Sequence, residues 1–210
     1  MRFYFLVLVF LVSCAHDRGD YPDSWWKEIK KEEAASWEIV PQSAGPGEVI
    51  LSKKTELGIF SNFAGTPIFF RGKTYASIEG LWQSMKYPED KKDPRYKMIQ
   101  WPHTRQQVET MIGFEAKRAG DVGSQVMKKN NINWVTFDGK KMVYREKGES
   151  DFYKLIREAT KAKVEQNPKV KKLLLATGDL VLKPDHHQKK GSPKAWRYYE
   201  ILMDIRKEYQ

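Results

Sequence analysis

The sequence predicts an α+β fold: a mostly helical single domain with a small β-sheet. The clearest helical signal lies at residues 151–166, where apolar side chains recur at helical spacing, and residues 196–209 repeat that pattern near the end of the chain. Short apolar stretches bounded by turn residues predict brief strands between the helices. The chain has 210 residues, which is within the usual range for one domain plus a leader.

The individual elements follow from this periodicity and from the residues that interrupt it. The predicted strands are 49–51, 67–70, 74–76, 134–137, 141–144 and 180–182. The predicted helices are 77–87, 105–111, 115–129, 151–166, 169–176 and 196–209. Ser77 is a suitable N-cap and Pro88 ends the first of these helices, while Asp138-Gly139 predicts a hairpin turn. Residues 183–195 predict a loop.

The first 13 residues have the pattern of a bacterial lipoprotein signal peptide. Arg2 gives a positive start, residues 3–12 are apolar, and Leu11-Val12-Ser13-Cys14 reads as a lipobox. Because the apolar run is short for a bilayer span, we expect cleavage and lipidation of Cys14, with the protein anchored at the periplasmic or extracellular face of the cell envelope. The alternative is a short buried strand at the start of a cytoplasmic protein.

Residues 14–47 predict a tether between the lipid anchor and a domain over residues 48–210. This tether contains Trp25, Trp26 and Trp37, whereas a flexible linker would be rich in Gly and Ser and poor in aromatic residues. We therefore expect the tether to dock on the domain, with a short helix at 25–35.

Charge and cysteine content limit the partners and cofactors. The net charge of +10 favours anions such as nucleotide phosphates, lipid headgroups or nucleic acid. The lysines are spread along the chain, which favours a solvated surface over a nucleic-acid track. Cys14 is the single cysteine, so a disulfide and a thiolate zinc site are excluded. The adjacent His186 and His187 point apart in extended chain, so we expect no metal site.

Glu79 stands at the start of the helix that Ser77 caps. At about 100° per residue, Glu79, Gln83 and Lys86 share one face, opposite the apolar face. A carboxylate in a first helical turn is favoured in its ionised form. Spacing alone favours a surface carboxylate that pairs with Lys86 or caps backbone amides over a catalytic group.

Several motifs together resemble the NADAR (YbiA-like) family. The first block is Phe60-Ser61-Asn62-Phe63, Pro67, Gly72-Lys73, Tyr75, Ser77, Glu79, Gln83 and Lys86. The second block is Ala162-Lys163 through Glu165-Gln166-Asn167 and Leu173-Leu174-Leu175-Ala176-Thr177, followed by Leu202-Met203-Asp204-Ile205-Arg206. The resemblance covers residues 57–206.

This resemblance implies an N-glycosidase that cleaves C–N glycosidic bonds in phosphorylated riboflavin-pathway intermediates or ADP-ribosyl compounds, without a metal or redox cofactor. It places the family's helix glutamate on Glu79 and its tryptophan on Trp134. Its later acidic residue falls on Asp185. Cleavage of an N-glycoside passes through an oxocarbenium-like state, which two carboxylates with separated pKa values would serve.

The chain departs from the family near its end. The glycine-rich Trp-Gly-x-Gly stretch is replaced by residues 185–191, and Trp196 and Tyr199 replace the Asn and Gly that precede the last helix. These changes predict a pocket rim rebuilt with larger aromatic groups and therefore an altered substrate.

The predicted site has Glu79 and Asp185 as catalytic residues. The predicted ligand-binding residues are Asn62, Phe63, Trp82, Gln83, Lys86, Trp134, His186, Trp196 and Arg197, with Arg71 as a further phosphate contact. Structural roles remain open for several of them, since Trp134 could be a half-buried core aromatic and Asp185 could start a turn after Pro184.

Three functions follow. The first is hydrolysis of an N-glycoside in an ADP-ribose-like or ribosyl-phosphate compound; the exported location points to an extracellular nucleotide or ADP-ribosyl adduct. The second is a nucleotide- or ADP-ribose-binding lipoprotein with a degenerate pocket. The third is a basic surface protein that binds nucleic acid or anionic lipid.

Overall fold

The computed structural model describes residues 20–97 and 99–210. The predicted signal peptide and Cys14 lie outside the described residues. Within the described ranges, no helix is long and apolar enough to cross a membrane.

Helices dominate the described residues, which confirms the predicted fold class. The α-helices are α1 (Ile78–Ser84), α2 (Arg105–Glu109), α3 (Gly113–Lys129), α4 (Asp151–Gln166), α5 (Pro168–Ala176) and α6 (Tyr198–Lys207). Short 3₁₀ turns occur at Asp23–Trp26, Lys31–Glu33, Pro41–Ser43, Glu56–Phe60 and Lys194–Trp196.

The strands pair two by two among the described residues and do not form the one small sheet that the sequence suggested. Strand β1 (Glu48–Ile50) runs parallel to β6 (Val181–Lys183), β2 (Ile68–Phe70) pairs antiparallel with β3 (Lys73–Tyr75), and β4 (Val135–Phe137) pairs antiparallel with β5 (Lys140–Met142). The predicted Asp138-Gly139 turn is confirmed: both residues have positive φ, 48° and 71°, as a two-residue hairpin turn requires.

Helix α1 ends three residues earlier than Pro88 predicts, and Arg95 gives the reason. Its fully buried guanidinium donates to the backbone oxygens of Met85, Lys86 and Tyr87 at 3.2, 3.0 and 3.1 Å. These carbonyl groups lie at the end of the helix, so the side chain satisfies acceptors that a further helical turn would otherwise occupy.

The N-terminal segment packs into the main core. Trp25 is 1% exposed, and its Nε1 donates to Glu56 Oε1 at 2.7 Å, while Trp26 Nε1 donates to the backbone oxygen of Glu48 at 2.9 Å. The predicted helix at 25–35 is wrong. Its backbone is instead held in part by the Gln42 amide, which bonds both the N–H and the C=O of Ile29 at 3.2 and 2.8 Å.

Helix α4 lies at the centre of the core and packs against α1, α5, α6 and β2. Helix α1 lies between α4 on one side and α2 and α3 on the other. Because α1 is covered on both sides, its polar row does not face open solvent. That arrangement decides the environment of Glu79.

Candidate active site

A cavity of about 520 Å³ opens between α1, α3, the loop after β6 and the N-terminal segment. This volume is in the range of small-molecule sites. The side chains of its walls come from distant parts of the sequence: Trp37, Lys53, Ser61, Asn62, Phe63, Glu79, Trp82, Gln83, Lys86, Phe114, Lys117, Asp121, Ser124, Tyr144, Arg145, Asp185, His186, Gln188, Trp196 and Tyr198. Both predicted catalytic carboxylates are among them.

Backbone and cap bonds fix Glu79 at this cavity. The Ser77 hydroxyl accepts from the Gly80 N–H at 2.9 Å and donates to the backbone oxygen of Met111 at 3.0 Å, which confirms Ser77 as the N-cap. The Glu79 N–H donates to the backbone oxygen of Asn62 at 2.9 Å. The predicted Ser-Asn-Phe loop is therefore bonded directly to the first turn of α1.

A buried lysine holds the Ser-Asn-Phe loop from the side of the core. Lys163 on α4 is 1% exposed, and its Nζ donates to the backbone oxygen of Ser61 at 2.8 Å. Burial lowers the pKa of Lys163 to about 7. This lysine therefore positions the loop from the core and does not line the cavity.

Glu79 is buried, so the surface-carboxylate interpretation is wrong. It is 6% exposed because α3 packs over the polar row of α1. Close approach of the two helices requires glycine at 120, since a Cβ at that position would overlap the Gln83 side chain. The sequence pattern showed the row correctly but could not show that a second helix covers it.

Burial also reverses the expected direction of the Glu79 pKa shift. Loss of hydration raises the pKa of its carboxyl group, and this outweighs the hydrogen bond from Gln83 Nε2 to Glu79 Oε1 at 2.7 Å and the nearby charge of Lys86. Gln83 Oε1 is buried without a hydrogen-bond partner in the described residues. A protonated Glu79 could donate to this oxygen if the amide turned over.

Lys86 lines the cavity but is a buried group, so its place as a phosphate ligand stays a prediction. Its Nζ donates to the backbone oxygen of Gly120 at 3.0 Å, and burial lowers the pKa of Lys86 to about 8. The more exposed cations on this wall are Lys117 and Arg145. Lys117 forms an ion pair with Asp121 at 2.6 Å, and Arg145 lies 5.4 Å from the centroid of the Tyr144 ring.

Asp185 lies on another wall and has the opposite electrostatic environment. Its side chain is 0% exposed; one oxygen accepts from Lys53 Nζ and the other lies 3.0 Å from His186 Nδ1. These two partners hold the pKa of Asp185 below its ordinary value despite desolvation, which acts to raise it. Its backbone oxygen accepts from the Ile39 N–H at 2.8 Å, so Asp185 is more than the start of a turn.

His186 continues this cluster into the cavity. Its ring stacks on Tyr198, with 6.5 Å between centroids and 15° between planes. Its Nε2 lies 3.2 Å from Gln188 Nε2, which also donates to the backbone oxygen of Trp196 at 3.3 Å. An antiparallel bridge between Glu38 and His186 ties this cluster to the N-terminal segment.

Exposed aromatic rings form the cavity rim. Trp37 is 44% exposed, and Lys53 Nζ lies 5.5 Å from both its ring centroid and that of Phe63. Phe63 packs edge-on against Phe114 with 5.2 Å between centroids. Trp196 and Trp82 also line the cavity, and Trp82 packs edge-on against Phe152 with 5.0 Å between centroids.

Three predicted contacts lie outside the cavity. Trp134 is half-buried and stacks between Arg95 and Lys141, at 4.8 and 4.3 Å from its centroid, so it covers the buried Arg95 network and does not line the cavity. Arg197 pairs with Glu200 at 2.9 Å, and Arg71 pairs with Glu158. These two arginines are therefore occupied by neighbouring carboxylates.

Several wall residues were not predicted from the sequence, chiefly Trp37, Lys53, Phe114, Lys117 and Arg145. The tryptophan-rich segment before residue 48 was a usable signal for Trp37. For the two lysines and Arg145, the dispersed basic residues gave no indication of which ones converge. No cluster of His, Cys, Asp and Glu that could hold a metal occurs within residues 20–97 and 99–210.

No family model matches the chain, and no curated protein matches it. Among solved structures, the NMR structure of YbiA from E. coli is similar: the two sequences are 24% identical over 75% of this chain and 81% of the YbiA chain, with a TM-score of 0.47. The predicted resemblance to a YbiA-like protein is thus confirmed as a similarity. At this identity and TM-score, the similarity assigns neither an activity nor a site residue.

Proposed function

We propose that the chain hydrolyses an N-glycosidic bond in an ADP-ribose-like or ribosyl-phosphate compound. One observation carries the proposal: two buried carboxyl groups line one cavity, and their environments move their pKa values in opposite directions. Glu79 has a raised pKa and Asp185 a lowered one. Such a pair supplies a proton donor and a lasting negative charge at the same pH.

Each carboxyl group has a defined role in this reaction. Glu79 keeps its proton to higher pH and donates it to the leaving nitrogen as the C–N bond breaks. Asp185 stays ionised and supplies a negative charge in the cavity wall that stabilises the oxocarbenium-like centre without direct contact. A water molecule adds to the anomeric carbon, so the products are a free base and a sugar with an anomeric hydroxyl group.

The other walls suit the two ends of such a substrate. Arg145 is an exposed cation on the cavity wall, and phosphate oxygens bind guanidinium groups well. Trp37, Phe63 and Trp196 provide flat surfaces for a nucleobase. A phosphorylated ribosyl compound with an aromatic base carries both of these groups.

The experiment compares the full chain with Glu79→Gln and with Glu158→Gln as the matched control. Glu158 is an exposed carboxylate on α4 that pairs with Arg71 away from the cavity. NAD, ADP-ribose and ribosyl phosphates with an N-linked base are incubated with each protein, and base release is followed by chromatography. We expect release by the wild type and the control, and a loss of about 100-fold or more in Glu79→Gln. Full activity of Glu79→Gln would contradict the proposal.

A second candidate is a nucleotide- or ADP-ribose-binding protein without turnover. It is favoured by one observation, namely that both oxygens of Asp185 are already occupied by Lys53 and His186. Binding of ADP-ribose by calorimetry, with no base release from any compound in either protein, would support this candidate over the hydrolase.

The cellular location remains a proposal that rests on the sequence of residues 1–14. Lipidation of Cys14 would anchor the site in the cell envelope and expose it to extracellular nucleotides or ADP-ribosyl adducts. Cys14→Ala is expected to move the protein from the membrane fraction to the soluble fraction. Retention of this variant in the membrane fraction would contradict the anchor.

A further inference from the structure

We infer that His186 is the general base that activates the attacking water, and that Asp185 acts through it as a positioning residue. This inference rests on the proposed hydrolase function and adds the group that receives the proton of the water. Three observations carry it: the hydrogen-bond partners of the two ring nitrogens of His186, the complete occupation of the Asp185 side chain, and the position of the ring on the cavity wall.

The hydrogen bonds of Gln188 determine the tautomer. Its amide nitrogen donates to the backbone oxygen of Trp196 at 3.3 Å, so the NH₂ group, not the amide oxygen, faces this region. The same nitrogen lies 3.2 Å from His186 Nε2. Because an NH₂ group only donates, the ring accepts this bond through Nε2. Its proton is then on Nδ1, which donates to Asp185 Oδ1 at 3.0 Å.

Asp185 itself is poorly placed to meet a substrate. Its side chain is fully buried, with Oδ1 beside His186 and Oδ2 beside Lys53. A carboxylate that receives the Nδ1 proton fixes the ring orientation and stabilises the imidazolium that forms when Nε2 gains a proton. Asp185 thus acts on the reaction through the histidine, whose ring is partly exposed and lines the cavity.

The groups around the ring favour this role. Asp185 supplies a negative charge, and Lys53 offsets part of it from the loop after β1. Tyr198 of α6 stacks on the ring. Glu38 of the N-terminal segment pairs with the backbone of His186, and its own carboxylate accepts from the Ala35 N–H at 3.0 Å. The ring is therefore held on several sides, which a general base requires.

Within residues 20–97 and 99–210, the contact that a water molecule at Nε2 would displace is that of Gln188. Its contacts to Nε2 and to Trp196, at 3.2 and 3.3 Å, are at the long end of the range for nitrogen donors. A water molecule that replaces the amide would donate one proton to Nε2 and direct its oxygen into the cavity.

With His186 as the general base and Glu79 as the general acid, every proton in the reaction is accounted for. Nε2 of His186 takes a proton from water as the water oxygen bonds to the anomeric carbon. The C–N bond breaks, its electron pair stays on the leaving nitrogen, and that nitrogen takes the proton of Glu79. Transfer of one proton from the imidazolium to the Glu79 carboxylate through solvent restores both groups, so the net reaction consumes one water.

The test compares His186→Asn with His187→Asn. The asparagine amide at 186 can still donate toward Asp185 but has no atom in the place of Nε2, and His187 is an exposed neighbour that does not line the cavity. For His186→Asn we expect kcat to fall by about 100-fold to 10,000-fold, with KM within about threefold and loss of the acid limb of the kcat/KM profile. Added imidazole should partly restore turnover to His186→Gly. His187→Asn should match the wild type.

Two outcomes separate this inference from the proposed function. Wild-type turnover together with unchanged kcat and an unchanged acid limb in His186→Asn would overturn the base and leave the hydrolase in place. Absence of wild-type turnover on the whole panel would overturn both. Independently of turnover, ¹⁵N NMR should show His186 protonated on Nδ1, and protonation on Nε2 in the neutral ring would overturn the inference.

Discussion

Each of two walls of the same cavity buries one carboxyl group, and the two environments shift the pKa values of these groups in opposite directions. At the α1–α3 wall, Glu79 is desolvated with an amide as its hydrogen-bond partner, and the nearest buried cation, Lys86, bonds to a backbone oxygen instead. At the other wall, Asp185 is equally buried but meets Lys53 and His186 directly. Burial alone therefore does not decide the direction of the pKa shift; the partner of the carboxylate does.

The largest effect is expected from removing the charge of Asp185. Asp185→Asn leaves Lys53 beside a neutral amide and removes the acceptor that fixes the His186 tautomer. We expect stability to fall by about 1–3 kcal/mol in urea titrations and kcat to fall by at least about 100-fold. The control is Glu48→Gln, which breaks the more exposed Lys183 ion pair outside the cavity and should cost about 1 kcal/mol or less. If the two variants lost equal stability and equal kcat, the buried Asp185 would contribute no more than an exposed ion pair, which would contradict the account of this wall.

A second test closes the space between α1 and α3. Gly120→Ala places a Cβ on the Gln83 side chain and should push the amide away from Glu79, at a cost of about 1–3 kcal/mol. Gly123→Ala is the matched control, because its Cβ would stand 3.1 Å from the nearest Tyr87 atom and requires only a small adjustment. Thermal unfolding of both variants measures the difference. A Gly120→Ala protein as stable as Gly123→Ala would show that the helices do not pack this closely.

The pH dependence of stability gives a third test. A carboxyl group with a raised folded-state pKa holds its proton more tightly when folded, so its contribution to stability falls as the pH rises from the unfolded to the folded pKa. Glu79→Gln removes this pH-dependent loss of stability, because an amide does not titrate in this range. We expect the variant to be more stable than the wild type by about 0.5–2 kcal/mol at pH 8, and the gain to shrink toward pH 4. Glu158→Gln should show no such trend, and a gain for Glu79→Gln that grows toward low pH would contradict the raised pKa.

The smallest effect concerns the aromatic rim. Trp37→Ala should weaken ADP-ribose binding by about 1 kcal/mol in calorimetry, since one stacking surface is lost. Stability should hardly change because the ring is 44% exposed. Phe69→Ala is the control, as Phe69 is 62% exposed and lies away from the cavity walls. A loss of affinity common to both variants would exclude a specific role for Trp37.

The sequence predicted the Glu79 wall better than the Asp185 wall, and chain distance explains why. Ser77, Glu79 and Gln83 lie within two helical turns, so their relation follows from helix geometry. The packing of α3 over these residues was not predictable, because the sequence does not show that Gly120 allows α3 to approach this face of α1.

The Asp185 wall depends on contacts between distant segments. Lys53 and Asp185 are 132 residues apart, and their pairing follows from the parallel β1–β6 ladder that precedes both residues. Trp134 is the reverse case: it was predicted to be in the site but lies outside the cavity. The resemblance placed it in the site, but the buried Arg95 beneath its ring, which no sequence pattern indicated, explains its position.

The most direct measurement is a ¹³C NMR titration of the carboxyl carbons of Glu79 and Asp185 in the full chain, assigned with Glu79→Gln and Asp185→Asn. The two-wall account predicts that Glu79 titrates above the ordinary range of glutamate and Asp185 below the ordinary range of aspartate. Titration of Glu79 at or below the ordinary glutamate range, or of Asp185 at or above the ordinary aspartate range, would contradict it.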